Sequence, residues 1–197
     1  LSVFSGGIFR IGSSGAEIPR DSTAVLEFDN AADGQFGLRA LSGSTVTAHG
    51  LSRTSGKDQW MCLLTADEAA ASTSIDVDTD TGWLTTDEVL FPSTTRTIAQ
   101  MEVKSLTGAA GASSFTLSAG LTNAHSGTGD YVCEVFLLTR NVEIRSVSTT
   151  NMTFFECFGI ATCSFKWMRF RYYSSSSQFF QIATTGAGTC AFQYCVL

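Results

Sequence analysis

"EVFLLTRNVEIRSV", residues 134–147, holds two apolar runs, Val135–Leu138 and Val142–Val147, joined by Thr139-Arg140-Asn141 with no glycine or proline between them. The second run alternates with period two, and both are rich in strand-forming residues, which predicts two strands. A tight reversal would ask for a hairpin pair such as Asn-Gly or Asp-Gly. The joint reads instead as a corner. Asparagine tolerates the left-handed conformation that a sharp bend needs, and its amide can bond exposed backbone. Arg140 can turn outward to a carboxylate or cap carbonyls. The chain bends there without turning back.

Working outward, the same pattern repeats. After "VCEVFLLT" (132–139) and "NVEIRSV" (141–147) come "MTFFECF" (152–158), "SFKWMRFRYY" (164–173), "QFFQIAT" (178–184) and "TCAFQYCVL" (189–197). Two such strands with their turns make a coil of roughly 20–25 residues, the period of a β-solenoid. A parallel β-helix fills its interior with aliphatic and aromatic ladders, and Phe154, Phe165, Phe179 and Phe192 are candidates for one, drawn from fifteen phenylalanines. Upstream, "STAVLEFDNA" (22–31), "STVTAHG" (44–50), "STSIDVDT" (72–79), "DEVLFPS" (87–93) and "SSFTLSAG" (113–120) also read as strands. The one helix candidate is "ADEAAAS", Ala66–Ser72. An antiparallel sandwich or jelly roll uses the same alternation. The turns speak against it, since Asn-Gly is absent and the single Asp-Gly is at 33–34. The expected fold is all-β, a parallel β-helix with at most one short helix.

The chain of 197 residues is long enough for a sizeable core. Charged residues make up 15% of it, well below the usual quarter, and serine and threonine fill the polar positions. Long-lived extracellular and viral β proteins have surfaces of this kind. The net charge of −6 speaks against a duplex nucleic-acid binder. The basic run Lys166-Trp167-Met168-Arg169-Phe170-Arg171 alternates with apolar residues and reads as the outer face of a strand. No run of 18 apolar residues is present, so no membrane-spanning helix is expected. The six cysteines, Cys62, Cys133, Cys157, Cys163, Cys190 and Cys195, include no CxxC pair, a pattern unlike zinc sites. Cys157/Cys163 and Cys190/Cys195 fit either short-range disulfides or buried thiols, with thiols favoured. The chain begins at Leu1 and ends on an apolar strand, which suggests a segment of a longer protein.

Several pieces carry a family resemblance. "TGWLTTDEVLFPSTTRT" (81–97), "QMEVKSL" (100–106), "FTLSAGLTNAHSG" (115–127) and "EVFLLTRNVEIRS" (134–146), in that order, resemble the G-eight (eight-glycine) domain. Trp83, Glu102, His125, Leu137, Leu138, Arg140 and Asn141 fall at matching positions, and "AADGQFGLRALSGSTVTAHG" resembles the glycine-marked rungs before that core. The likeness spans about residues 25–147, roughly 60% of the chain. It departs where the family's "GD" stands as Thr86-Asp87 and where glycines are missing. The resemblance implies a right-handed β-helix, with 1–147 as a G-eight-like region and 148–197 as continuing coils of one domain. It also implies an extracellular setting, some members acting on hyaluronan, and a corner hydrogen bond for His125.

Candidate chemistry is sparse. Asp76, Asp78 and Asp80 share one face of a strand and offer a weak calcium site, although Gly82 has the wrong offset for an EF-hand. His125-Ser126 with Asp130 lacks the spacing of an oriented nucleophile. Glu102, Glu134, Glu143 and Glu156 lie on successive strands, and Glu134 could stack on Glu156 one coil away as a glycosidase-like pair. Trp167, Arg169, Arg171, Tyr172 and Tyr173 could form a glycan platform, a subunit interface or interior packing. No catalytic residue, metal or cofactor is assigned. The expected role is a non-enzymatic structural module of a virion appendage or secreted filament, self-associating or docking with other subunits. The alternative is an extracellular polysaccharide-binding or polysaccharide-degrading protein.

Overall fold

The computed structural model describes residues 1–32, 35–52, 59–108, 111, 113–171 and 180–196. The Asp33-Gly34 pair, Phe179, Tyr172, Tyr173 and Leu197 lie outside them. The described chain is all-β, with one 3₁₀ turn at Ile98–Gln100. No described helix is long and apolar enough to cross a membrane.

Two compact units divide the chain: unit 1 is Leu1–Leu51 with Arg140–Leu197, and unit 2 is Ser52–Thr139. Residues 1–147 therefore take in parts of both. Unit 1 opens with β1 (Ser2–Val3), β2 (Ile8–Ile11), β3 (Ala24–Phe28), β4 (Gly37–Ala40) and β5 (Thr45–His49). Unit 2 carries β6 (Met61–Leu63), β7 (Ser74–Asp76), β8 (Glu88–Phe91), β9 (Glu102–Gly108), β10 (Ser114–Leu117) and β11 (Glu134–Leu137). Unit 1 resumes with β12 (Val142–Ser146), β13 (Phe154–Gly159), β14 (Thr162–Lys166), β15 (Met168–Arg171), β16 (Phe180–Thr184) and β17 (Thr189–Gln193).

Every strand pair of unit 1 is parallel. The sheets run β1-β4-β13-β16, β2-β5-β14-β17 and β3-β12-β15. The chain visits the three in the same order on each pass, and Val196 bridges Arg169 after β17. In-register parallel strands put like positions above one another at about 4.8 Å, so inward residues form columns. Val3, Ala40, Cys157 and Ile182 make one; Phe9, Val46, Cys163 and Cys190 a second; Ile11, Ala48, Phe165 and Phe192 a third; Leu26, Ile144 and Phe170 a fourth. Buried residues of all three sheets meet in one core.

The aromatic ladder differs from the sequence expectation by one position. Phe165 and Phe192 stack at 5.1 Å between centroids. The residue that meets Phe165 edge-on, at 5.2 Å, is Phe155, which is fully buried, and not Phe154. Phe154 points the other way and lies under the Arg39 guanidinium. With two adjacent phenylalanines, a period-two strand buries one, and the Leu38–Phe155 register selects Phe155.

Unit 2 is built differently. Its strands form one sheet, β6-β11-β8-β9-β10-β7, in which every pair is antiparallel. The expectation of parallel coils does not hold there. The links are short, as from Gly108 to Ser114 between β9 and β10, and a parallel pair needs a long crossover. One core of its own holds Trp83, Phe91, Phe115, Leu106, Val135 and their neighbours.

The expected helix at Ala66–Ser72 is not formed. Glu68 makes a β-bridge with His125, and Ala71 has φ 72°, outside the helical region. Seven residues nucleate a helix poorly, and the backbone bonds Glu68 N to His125 O (2.8 Å) and Ala71 N to Leu121 O (2.7 Å) tie the segment to the 121–125 stretch instead.

Phe155→Ala is expected to lower stability by about 3–5 kcal/mol, and Phe154→Ala by about 1 kcal/mol through its exposed cation–π contact. Urea midpoints of the two variants check this, and equal losses would place the inward parity wrongly.

Candidate functional site

The corner that follows Thr139 belongs to a rank of three. Val142 pairs with Met168, and Arg169 bridges Val196, so Asn141, Trp167 and Tyr194 occupy corresponding corners on successive passes. The left-handed conformation expected of Asn141 is found instead at Trp167 (φ 50°) and Tyr194 (φ 55°). Their rings stack at 4.5 Å, and the Arg140 guanidinium lies 5.2 Å over the Trp167 ring. Arg140 Nε donates to Tyr194 O at 2.9 Å. Ring stacking and the cation offset the cost of a positive φ in bulky residues.

Asn141 is fully buried, and its Nδ2 donates to Ile18 O (2.8 Å) and Pro19 O (2.9 Å). The amide ties the preceding pass to this one. Gly50 is required beside it: a Cβ there would stand 2.1 Å from Asn141 Oδ1 and 2.7 Å from Trp167 O.

These positions bear on part of the expected platform, since Tyr172 and Tyr173 lie outside the described residues. Trp167 is 1% exposed, so it does not share an outer face with Arg169. The strand parity breaks at the corner, where β14 ends and β15 begins. Arg169 and Arg171 do point outward on β15, in register with Glu143 and Arg145 of β12. Arg145 Nε donates to Glu27 at 2.6 Å, and Glu143 lies 3.7 Å from Arg145 and 3.9 Å from Arg171. This is a compensated ion ladder, in which like charges stacked in register are separated by carboxylates.

The carboxylates do not form the pair considered from sequence. Glu156 has Arg39 and Gln181 as its in-register neighbours and binds Arg39, while Glu134 belongs to β11 of unit 2. Nor are the three aspartates gathered. Only Asp76 lies in β7; Asp78 accepts from Leu63 N, and Asp80 accepts from Gly82 N.

Within unit 2, Glu102 organises the polar structure. Its carboxylate accepts from Thr122 N (2.7 Å), Asn123 N (3.0 Å) and His125 Nε2 (2.9 Å), and Lys104 Nζ lies 2.9 Å away. Burial pushes this carboxyl up, but the two amides, His125 and Lys104 outweigh it and hold it at about 2. His125 is 1% exposed, and its Nδ1 donates to Pro92 O at 3.0 Å. Both ring nitrogens are engaged within the network, one by the Glu102 carboxylate and the other by Pro92 O, and neither is hydrogen-bonded to Ser126.

Ser126 is not oriented by His125. Its hydroxyl donates to Asp67 at 2.9 Å, and Asp67 also accepts from Thr128 Oγ1 and Gly127 N. Those three bonds lower the Asp67 carboxyl, the Thr128 hydroxyl most of all. Asp67 was not singled out by any motif; only its place before the Glu68 bridge brings it to this loop. Cys133 lies 4.0 Å from His125 Nδ1, but burial and then Glu134 push its thiol up to about 12. A reactive cysteine needs the opposite shift.

A cavity of about 530 Å³ opens beside this network, lined by Pro92–Arg96 and Asp130–Glu134, with Tyr131 67% exposed at its edge. A second, of about 380 Å³, lies between Asp67–Ala69 and Ala124–Ser126. The remaining cluster is in unit 1, where Cys157, Cys163 and Cys190 bring their sulfurs within 4.8 Å of one another. Sequence spacing concealed it, because the third thiol comes from the next pass of the chain. All six cysteines are free thiols.

No family model and no curated protein matches the chain. Among solved structures it is similar to the Gp54 tailspike of Acinetobacter baumannii bacteriophage AP22, in complex with A. baumannii capsular saccharide, at 12% identity and TM-score 0.35 over 78% of this chain and 28% of that one. It is similar to the Pseudomonas phage phi297 tailspike gp61 at 8% identity and TM-score 0.36 over 91% and 41%. It is also similar to the tailspike protein gp49 from Pseudomonas phage LKA1 at 14% identity and TM-score 0.33 over 80% and 31%. The chain thus spans less than half the length of each of these.

Two predictions test these assignments. Asn141→Ala strips the donors from two carbonyls, and orphaned buried groups cost about 1–3 kcal/mol each; a urea midpoint unchanged from wild type would show that Asn141 does not hold the corner. For Glu102, a folded value below the unfolded one gives stability that is complete above the unfolded value and lost as pH falls through the folded one. The loss therefore falls between about 4.5 and about 2. Glu102→Gln is expected to cost about 1.5–3 kcal/mol at neutral pH and to flatten the acid limb over that window, as read by denaturation at stepped pH.

Proposed function

We propose that this chain is a non-enzymatic structural module, with a right-handed parallel β-helix in unit 1, that serves as a building block of an assembly at a virion surface or outside the cell. The observation that carries the reading is an exposed apolar strip on β16 and β17 of unit 1. Ile182 stands in register with Cys157 and Ala40, both 0% exposed, yet is itself 44% exposed. Phe192 and Cys190, in register with buried Phe165 and Cys163, are only half-buried. Among the described residues, β16 and β17 pair on one side only. Such a strip, with open strand edges beside it, is a surface on which strands of another subunit can stack. The right hand follows from strand twist, which makes nearly all parallel crossovers right-handed. The G-eight resemblance is supported by Trp83, Glu102 and His125. They come from separate pieces of that pattern yet pack in unit 2, joined through Phe115 and Phe91.

A second reading, polysaccharide binding or cleavage outside the cell, is favoured by the larger cavity of unit 2. There Tyr131 offers a ring, and Arg96 and Asp130 offer hydrogen-bonding groups.

Electron microscopy and sedimentation of the full chain test the first reading. Oligomers or rods are expected, and Ile182→Lys is expected to shift them to monomer. A monomer at high concentration that Ile182→Lys leaves unchanged, together with release of reducing ends from a polysaccharide, would overturn it.

A further inference from the structure

The three thiols of unit 1 meet for a topological reason. Cys163 and Cys190 are in-register neighbours on β14 and β17. Cys157 stands on β13, in the inward column of the adjacent sheet. Between Cys157 and Cys163 the chain turns the corner at Gly159 (φ 61°), so both side chains point into the same part of the core. Ala40, in register with Cys157, and Val46, in register with Cys163, are fully buried beside them. The Cys157 and Cys163 sulfurs lie 2.9 Å apart, and Cys190 completes a triangle within 4.8 Å. Cysteines used only as small core filler need not converge. A disulfide would account for two of the sulfurs and leave the third without a role.

We propose that Cys157, Cys163 and Cys190 form a trithiolate site for a thiophilic d10 metal ion of the Zn²⁺ kind. Metal–sulfur bonds of about 2.3 Å place bound sulfurs about 3.8 Å apart. That lies between the shortest separation found here, 2.9 Å, and the 4.8 Å limit of the cluster, so small side-chain rotations suffice. Soft thiolates select Zn²⁺, Cd²⁺ or Cu⁺ over hard cations. Binding forms three metal–sulfur bonds and releases the three thiol protons to solvent. Cys190 is half-buried and is the most accessible of the three sulfurs.

The test is titration of the metal-free, fully reduced chain with Cd²⁺ and then Zn²⁺. One equivalent of Cd²⁺ is expected to raise a thiolate-to-metal charge-transfer band, displaced by Zn²⁺ and weakening as pH falls. Cys163→Ser and Cys190→Ser are expected to abolish the band, and Cys62→Ser, in unit 2, to leave it. X-ray absorption of the wild-type zinc form makes the result independent of variant folding, with a first shell of at least three sulfurs expected. No band, a band that survives Cys163→Ser and Cys190→Ser together, or fewer than three sulfurs in the shell would overturn the proposal.

Discussion

The in-register stacking of parallel strands is the constraint on which unit 1 depends. Once Val46 lies over Cys163 and Cys163 over Cys190, each inward side chain must be compatible with the ones above and below it. Aromatic residues then stack on aromatic residues, as Phe165 does on Phe192. Outward positions obey the same rule. Arg145 and Arg171 are neighbours in register, and Glu143 and Glu27 make that arrangement tolerable. The thiol cluster is a further consequence, since stacking places residues from successive passes within a single coordination sphere.

Corners are where such stacking is hardest to maintain, because backbone groups leave the sheet ladder there. Unit 1 meets the need with side chains. Asn141 bonds two carbonyls of the pass before it, and Arg140 bonds one of a later pass while covering Trp167. The "LLTRNV" element thus has a physical account: its arginine and asparagine serve carbonyls that a parallel ladder leaves open.

Unit 2 rests on a different interaction. Its antiparallel sheet needs no repeat, and its polar loops are drawn together by one buried carboxylate, Glu102. The histidine bound to it has the partners of a catalytic dyad, but its second nitrogen is committed to Pro92 O. A buried acid–histidine pair is here a brace for the 120–125 loop, which borders the 380 Å³ cavity. Motif reasoning alone cannot separate a brace from a catalyst, because the same two side chains serve both.

Much of the fold was legible. Period-two alternation marks strands locally, because successive side chains take opposite faces, and that reading located β3, β5, β7, β8, β10 to β13, β16 and β17, while it ran β14 and β15 together as one strand. Local patterns also misled where a distant partner decided the outcome. "ADEAAAS" has helical composition, yet Glu68 bridges His125. Trp167 looked outward by alternation, yet a left-handed corner turned it into a buried stack. By itself, then, the sequence determined the β class, the inward alternation and the corner at Arg140-Asn141, all of which are properties of neighbouring residues. Tertiary structure alone decided that 52–139 pairs antiparallel while the rest pairs parallel, that Phe155 rather than Phe154 enters the core, and that three cysteines meet. Those outcomes depend on which strands lie side by side, and register between segments more than a hundred residues apart, as between Leu26 and Ile144, is fixed by packing.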